Sequence, residues 1–257
     1  MSAFDTLAPT YDTDFTASPI ARHLRDRVHA RLDALTQTGQ VALELGCGTG
    51  EDALHLAQRG VHITATDASD AMLTITRQKL FGFPNASVEK IDLSTLSTEY
   101  KVQSAALVYA NFGVLNCLSD WQPLAAWLAD RVVSGGHIAF GIMSPFCVWE
   151  PLWHGMHGDW RTATRRWRRE GTEFKVPNSS LIYYPTIRRL TRDFAPWFRR
   201  THVEPLGVFL PPSDVYGVLE KRPRLLKTLL RLDARIGRMR WLALAADHYW
   251  IEFERRA

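Results

Sequence analysis

Three glycines and three acids carry the clearest chemistry in this chain. Gly46, Gly48 and Gly50 are spaced two apart in VALELGCGTG, residues 41–50, between an apolar strand-like run and a helix-like run. Glycines so placed let the backbone turn sharply and come close to a ligand. Dinucleotide sites use the same geometry, so the surrounding acids must decide what is bound. Glu44 precedes the loop, Asp67 ends the next strand-like run, and Asp92 ends the one after it in KIDLS. An acid at Glu44 would repel a pyrophosphate and welcome a cation. Asp67 is placed to accept both hydroxyls of a ribose, and Asp92 to meet an adenine amino group. No Gly-Lys-Ser/Thr follows the loop, which sets aside a phosphate loop. The ligand implied is an adenosine without pyrophosphate that carries a positive centre or ammonium group, a description that S-adenosylmethionine fits. Each acid also has a plainer reading: Asp67 and Asp92 as helix caps, Glu44 as a surface acid.

A second set of residues bears on an acceptor. His154 and His157, in WHGMHGDW, are candidate proton acceptors, needed only where the reacting group must lose a proton. They serve equally as cap structure, and their spacing of three is only half a metal site, with no thiolate or acid trio to complete it; no metal is expected. Asn116, Trp149, Trp153, Tyr183 and Tyr184 are candidate walls for a flat, hydrophobic compound. The tryptophans would also suit the core of a cap.

Elements of regular spacing must position these groups. Ser18 and Pro19 open an amphipathic helix with Ile20, Leu24, Val28, Leu32 and Leu35 three or four apart. Beyond it, strand-like and helix-like runs alternate up to Ser144, which indicates a parallel α/β sheet covered on both faces. Candidate strands fall at 41–45, 62–66, 87–91, 105–110, 137–143, 202–209 and 248–255, and a helix over 120–134 precedes the fifth. One or two basic helices are predicted over 215–240. In an open parallel sheet ligands bind beyond the carboxyl ends of the strands, so a Trp-rich insertion directly after the fifth strand would cover the acceptor.

Charge divides the 257 residues unevenly. Residues 1–144 carry net −5 and residues 145–257 net +9, and seven of the nine tryptophans lie in the second part. A basic, aromatic half suits nucleic acid, an anionic ligand or an ordinary solvated cover. Three widely spaced cysteines exclude a disulfide scaffold. No signal peptide and no apolar run long enough to span a membrane is visible, so a cytoplasmic protein is expected.

The chain resembles the class I S-adenosylmethionine-dependent methyltransferases, in particular the small-molecule group of the ubiquinone/menaquinone type (type 11). The resemblance rests on LELGCGTG at 43–50, TATDASDAML at 64–73, EKIDLS at 89–94 and YANFGVLNCL at 109–118. It covers about residues 38–144, and the overall plan through the last strand. It implies a Rossmann-like, seven-stranded, mostly parallel sheet whose last strand is antiparallel, with helical cap insertions. It also implies S-adenosylmethionine as cofactor and S-adenosylhomocysteine as product. Gly46, Gly48 and Gly50, with Cys47 between them, would line the methionine portion and ribose. Asp67 would bind the ribose, with Ala68 and Met72 beside the adenine, and Asp92 and Leu93 would contact it. Asn111 would lie near the amino-acid end of the cofactor, and Tyr11, in APTYD, would close over it or simply pack.

On this reading the whole chain, 1–257, is one methyltransferase domain. It has an N-terminal helical segment (1–37), a substrate cap (145–185) and a helical insertion before the last strand (211–246). The expected function is methyl transfer to oxygen or nitrogen of a small, aromatic or hydrophobic metabolite by in-line displacement. Two alternatives remain at this point: an RNA or other macromolecule methyltransferase using the basic half, and a non-catalytic cofactor-binding module. Nucleic acid is disfavoured, because Asn111-Phe112-Gly113-Val114 stands where a DNA amino methylase would show Asn/Asp-Pro-Pro-Tyr/Phe. A monomer or homodimer acting on a small-molecule acceptor is expected.

Overall fold

The strands alternate their side chains between two apolar layers, and that alternation organises the molecule. The computed structural model describes residues 4–96, 104–168, 170–173 and 181–257. Seven strands form one sheet: β1 (Val41–Leu45), β2 (His62–Asp67), β3 (Ala86–Lys90), β4 (Ala105–Ala110), β5 (Val132–Met143), β6 (Phe198–Leu206) and β7 (His248–Arg255). Their order across the sheet is β3-β2-β1-β4-β5-β7-β6. The pairings among β1 to β5 are parallel, and β7 runs antiparallel to both β5 and β6. Leu43, Val108, Phe140 and Phe253 face one core, while Ala42, Leu107, Ala139 and Trp250 face the other. That split follows from the two-residue period of a strand.

Seven helices of at least eight residues flank the sheet among the described residues: α1 (Pro19–Leu35), α2 (Glu51–Gln58), α3 (Asp70–Lys79), α4 (Gln122–Ala129), α5 (Trp149–Met156), α6 (Ile187–Phe194) and α7 (Pro223–Ile236). The stripe predicted on α1 packs as read: Ile20, Leu24, Val28 and Leu32 are buried beside Leu56 and Leu73. Ser18 caps α1 by accepting from the Ile20 N–H at 3.3 Å, and Ser69 caps α3 by accepting from Met72 N–H at 3.2 Å. The opposite core receives Trp121, Leu124 and Leu128 around α4, and Leu190 and Phe194 of α6.

Two boundaries differ from the pattern reading. The helix expected over 120–134 stops at Ala129, and β5 starts at Val132 instead of 137. The cause is the Gly135-Gly136 pair. Gly135 lies at φ +73°, and a Cβ at Gly136 would come within 3.0 Å of the Ala106 carbonyl. The register shifts between Ala105 and Leu107 at this point. From Ala105–Val132 to Leu107–His137 the fifth strand advances five positions against two, so pairing resumes after three extra residues, where pattern alone suggests a break. The sixth strand starts at Phe198 rather than 202 and ends at Leu206, just before Gly207 at φ +77°. It is an edge strand, which accommodates Pro205.

The region read as a substrate cap, 145–185, holds α5, a short helical turn at Trp160–Ala163, and a two-residue ladder pairing Thr172–Glu173 with Leu181–Ile182. Residues 169 and 174–180 of that range lie outside the described residues. Before the last strand, residues 211–246 hold a short helix at Tyr216–Glu220 and the longer α7. No helix among the described residues is long and apolar enough to cross a membrane.

Candidate active site

The carboxyl ends of β1, β2 and β4 open into one cavity of about 660 Å³. Its floor is the loop after β1. Gly46 and Gly48 take φ +69° and +54°, the left-handed region where glycine carries no Cβ penalty. A Cβ at Gly46 would lie 2.5 Å from the Val114 methyls, whereas one at Gly48 meets nothing within 4 Å. Gly48 is therefore open to a ligand. Gly50 does not line the cavity: it stands at φ +83° as the first residue before α2, against the Thr76 side chain. The loop is tied from below by Thr76, whose hydroxyl donates to the Gly48 carbonyl at 2.8 Å.

Four of the carboxylates that line this cavity, Asp67, Glu44, Asp52 and Asp92, are each held differently. Asp67, at the end of β2, accepts from Gly48 N–H and Ser69 N–H, both at 2.9 Å. Burial raises its carboxyl above the ordinary range despite those backbone donors. Glu44 is 2% exposed. Its Oε2 has no hydrogen-bond partner among the described residues, nor has the buried Tyr109 hydroxyl of the adjacent strand. Burial first, and the Asp52 charge second, push Glu44 well above a normal carboxylate. Asp52, on α2, is buried too, but Arg25 (2.6 Å) and His29 (2.8 Å) pair with it. Burial alone would raise it; those cations hold it below its usual value. Asp92 is exposed at the rim and caps the turn after β3 through Ser94 N–H at 2.8 Å.

The N-terminal segment forms the lid of the cavity. Phe4, Leu7, Tyr11 and Phe15 all line it. The segment is latched at two points: Ser69 Oγ donates to Asp5 at 2.6 Å, and Asp12 accepts from Thr49 Oγ1 at 2.6 Å and pairs with Lys79 at 2.6 Å. Burial raises the Tyr11 hydroxyl. Asn111, after β4, donates to Asp52 at 2.8 Å and accepts from Phe112 N–H at 2.8 Å. Phe112 itself sits at φ +49°, a strained position for a bulky residue. The Arg25 guanidinium lies 5.0 Å above its ring.

The residues expected around the cofactor thus converge on one cavity: Tyr11, Glu44, Gly46, Cys47, Gly48, Asp67, Ala68, Met72, Asp92, Leu93 and Asn111 all line it, Gly50 being the exception. The residues expected around the acceptor do not line it. Asn116 is fully buried and knits backbone: it donates to the Tyr183 carbonyl at 2.6 Å and accepts from Met143 N–H at 2.9 Å. Trp149 and Tyr183 pack onto the two cores. Trp153 stacks near His157, ring centres 4.4 Å apart. The Tyr184 ring lies 5.4 Å beneath the Arg166 guanidinium. His154 Nε2 stands 3.3 Å from Asp214, and the exposed His157 has its Nδ1 2.7 Å from the Trp153 carbonyl.

The same cavity is lined instead by Phe112, Cys117, Met143, Ile182, Tyr216 and His248. His248 carries no pattern signal in the sequence. It opens β7, and because β7 is antiparallel its first residue pairs with Met143, the last residue of β5. The return of the last strand therefore delivers a histidine to the edge where the parallel strands end. Among the described residues no group of three or more metal-ligating side chains occurs.

Comparison with known proteins agrees with this geometry. Residues 42–136 match the family described as "Methyltransferase domain". A malonyl-[acyl-carrier protein] O-methyltransferase of Methylovorus is 31% identical over 42% of this chain and 40% of its own length. A demethylmenaquinone methyltransferase of Clavibacter sepedonicus is 28% identical over 52% and 53%. The chain thus spans about half the length of the curated relatives it matches. An S-adenosylmethionine-dependent methyltransferase structure from Mesorhizobium loti superposes with a TM-score of 0.57 at 18% identity, covering 88% of this chain and 96% of that one. The fold is that of the class I methyltransferases. Residues 42–136 match a methyltransferase domain, and the structure that superposes is that of an S-adenosylmethionine-dependent enzyme.

Proposed function

We propose that the chain transfers a methyl group from S-adenosylmethionine to oxygen or nitrogen of a small, aromatic or hydrophobic acceptor. The observation that carries this reading is that one cavity is lined both by acids and a bare glycine and by apolar and aromatic side chains. The donor set fits the cofactor. The buried, unpartnered Glu44 Oε2 suits an ammonium group, since a buried carboxylate without a partner is costly until a cation arrives. The open backbone at Gly48 admits a ligand where a side chain would intrude. Asp67 has lone pairs left for a ribose after its two backbone bonds.

When bound, S-adenosylmethionine supplies an electrophilic methyl on a cationic sulfur. The protein's part is to hold the donor in line with a nucleophile and keep water out. The latched segment with Tyr11 and Phe15 covers the site, and Met72 and Leu93 offer apolar contact to an adenine. We read 145–185 as the cap and 211–246 as a further cover within one domain. The macromolecule reading loses support because Arg165 and Arg166, the heart of the basic run, are turned inward onto Glu150 and Asp247.

Calorimetry with S-adenosylhomocysteine tests the proposal. Asp67→Ala should weaken binding at least about tenfold, roughly 1.4 kcal/mol; unchanged affinity would remove the ribose assignment. Labelled S-adenosylmethionine offered with a metabolite extract should mark a small compound. Tight binding with no transfer to any component would favour a non-catalytic module.

A further inference from the structure

Asp247 and His248 form a pair that the cofactor site does not use. Asp247 is 3% exposed, and its Oδ1 accepts from Arg166 Nη2 at 2.6 Å. Arg166 also donates to the Ser144 and Asp247 carbonyls and pairs with Glu150 at 2.9 Å. The other carboxylate oxygen, Oδ2, stands 2.9 Å from His248 Nδ1. That approach falls outside hydrogen-bond geometry; catalytic hydrogen bonds are often poorly aligned before a site is loaded. Nε2 has no protein partner among the described residues, and the ring, 12% exposed, lines the cavity.

We propose that His248, oriented by Asp247, takes the proton from the acceptor, and that the acceptor is therefore a flat compound bearing an ionisable hydroxyl. The proposal rests on the methyl-transfer reading above. A carboxylate beside Nδ1 keeps the hydrogen on that nitrogen and leaves the Nε2 lone pair free. Burial works against charge on Asp247, but the Arg166 guanidinium with its hydrogen bond, and the adjacent His248 ring, hold the carboxyl below its usual range. The wall beside the ring suits a planar molecule: Phe112 meets it edge-on, ring centres 5.8 Å apart at 87°, and Met143, Ile182 and Tyr216 complete it. The charged and titratable groups bearing on the ring from the packed elements are Asp247, Arg166, Glu150, Arg25, Asp52, Tyr11 and Tyr216. Of these only Asp247 contacts an imidazole nitrogen of His248.

The step balances. The acceptor oxygen forms its new bond to the methyl carbon as the carbon–sulfur bond breaks, and that electron pair stays on sulfur. The hydroxyl proton passes to His248 Nε2 and then to water. A tertiary amine would leave the pair idle, which is why the geometry favours a hydroxyl.

The test uses the full chain loaded with S-adenosylhomocysteine and 4-nitrophenol as probe, whose colour reports its ionisation. Absence of S-adenosylhomocysteine binding by the unaltered protein would overturn the methyl-transfer reading, and this proposal with it. Given binding, nitrogen-15 NMR of the unaltered protein should show His248 neutral with hydrogen on Nδ1. Hydrogen on Nε2 would overturn the role of Asp247. The probe should bind as phenolate with a matching imidazolium signal at His248. In His248→Gln, S-adenosylhomocysteine affinity should stay within about twofold, while the bound probe's ionisation constant falls at least tenfold. Equal ionisation in both proteins, or no binding of the probe, would overturn the proton-acceptor role. Asp247→Asn should shift the His248 tautomer toward Nε2–H.

Discussion

Glu44 and Asp52 stand close enough for each to feel the other's charge, yet their protonation is driven in opposite directions. Arg25 and His29 pair directly with Asp52, whereas Glu44 draws only on the neighbouring Tyr109 hydroxyl and the more distant Arg25 charge, which do not offset its burial. A carboxyl raised above its unfolded value costs stability once the pH exceeds the unfolded value, because the folded state then resists ionisation. Glu44→Gln should accordingly stabilise the unliganded protein near pH 7 by about 1–3 kcal/mol, a rise of about 2–4 °C in Tm for each kcal/mol. The same change should weaken S-adenosylmethionine binding about tenfold or more. Thermal melts and calorimetry on one variant read both signs; a variant that is destabilised and binds normally would remove Glu44 from the cofactor site. The two loop glycines separate in the same way. Gly46→Ala meets the Val114 methyls at 2.5 Å as well as a left-handed backbone, and Gly48→Ala meets only the backbone cost. Denaturant titration should show the first losing about 1–3 kcal/mol more than the second.

At the scale of elements, the segment before α1 is held by side chains rather than by a core. Asp5, Asp12, Thr49, Ser69 and Lys79 fasten it to the glycine loop and to α3. Such contacts are local and partly solvated, so the segment opens at lower free energy than the sheet. Asp12→Ala should speed amide exchange over residues 4–16 and raise the dissociation rate of S-adenosylhomocysteine several-fold, with Tm little changed. Hydrogen exchange with stopped-flow release measures both, and equal exchange in the two proteins would mean that the latch contributes nothing. The legibility of elements followed their periodicity. The seven strands and α1 to α3 were readable because alternation and heptad-like spacing act within a few residues. The early start of β5 was not, because it depends on Gly135 and Gly136 meeting the backbone of β4.

Across the whole molecule, a buried ion network joins the basic second part to the sheet. Glu150 and Arg166 are almost fully buried and connect with Arg165 and Asp247. Replacing Arg166 by Met leaves two buried carboxylates short of their cation and should destabilise the protein by about 3–5 kcal/mol. Asp52 and Asp247, both lowered below their ordinary value by their cationic partners against the pull of burial, add stability that is present above pH about 4 and lost on further acidification. Melts between pH 7 and pH 3 should fall steeply at the acid end, and less steeply in Arg166→Met. An unchanged slope in that variant would assign the acid sensitivity to other carboxylates.

The sequence by itself determined the α/β class, the presence of seven strands and their order along the chain, the glycine loop and the acids around it, since each depends on residue type and short spacing. It did not decide the acceptor wall. The tryptophans of residues 145–185 are alike in type, yet Trp167 is 54% exposed while Trp149 packs on a core. The basic half suits an anionic partner or a solvated cover by composition, yet Arg165 and Arg166 are turned inward onto acids up to 81 positions away. His248 reaches the cavity only because the last strand returns antiparallel beside β5. Those outcomes depend on partners distant in the chain, and spacing within a single segment carries no record of which distant residue a side chain will meet.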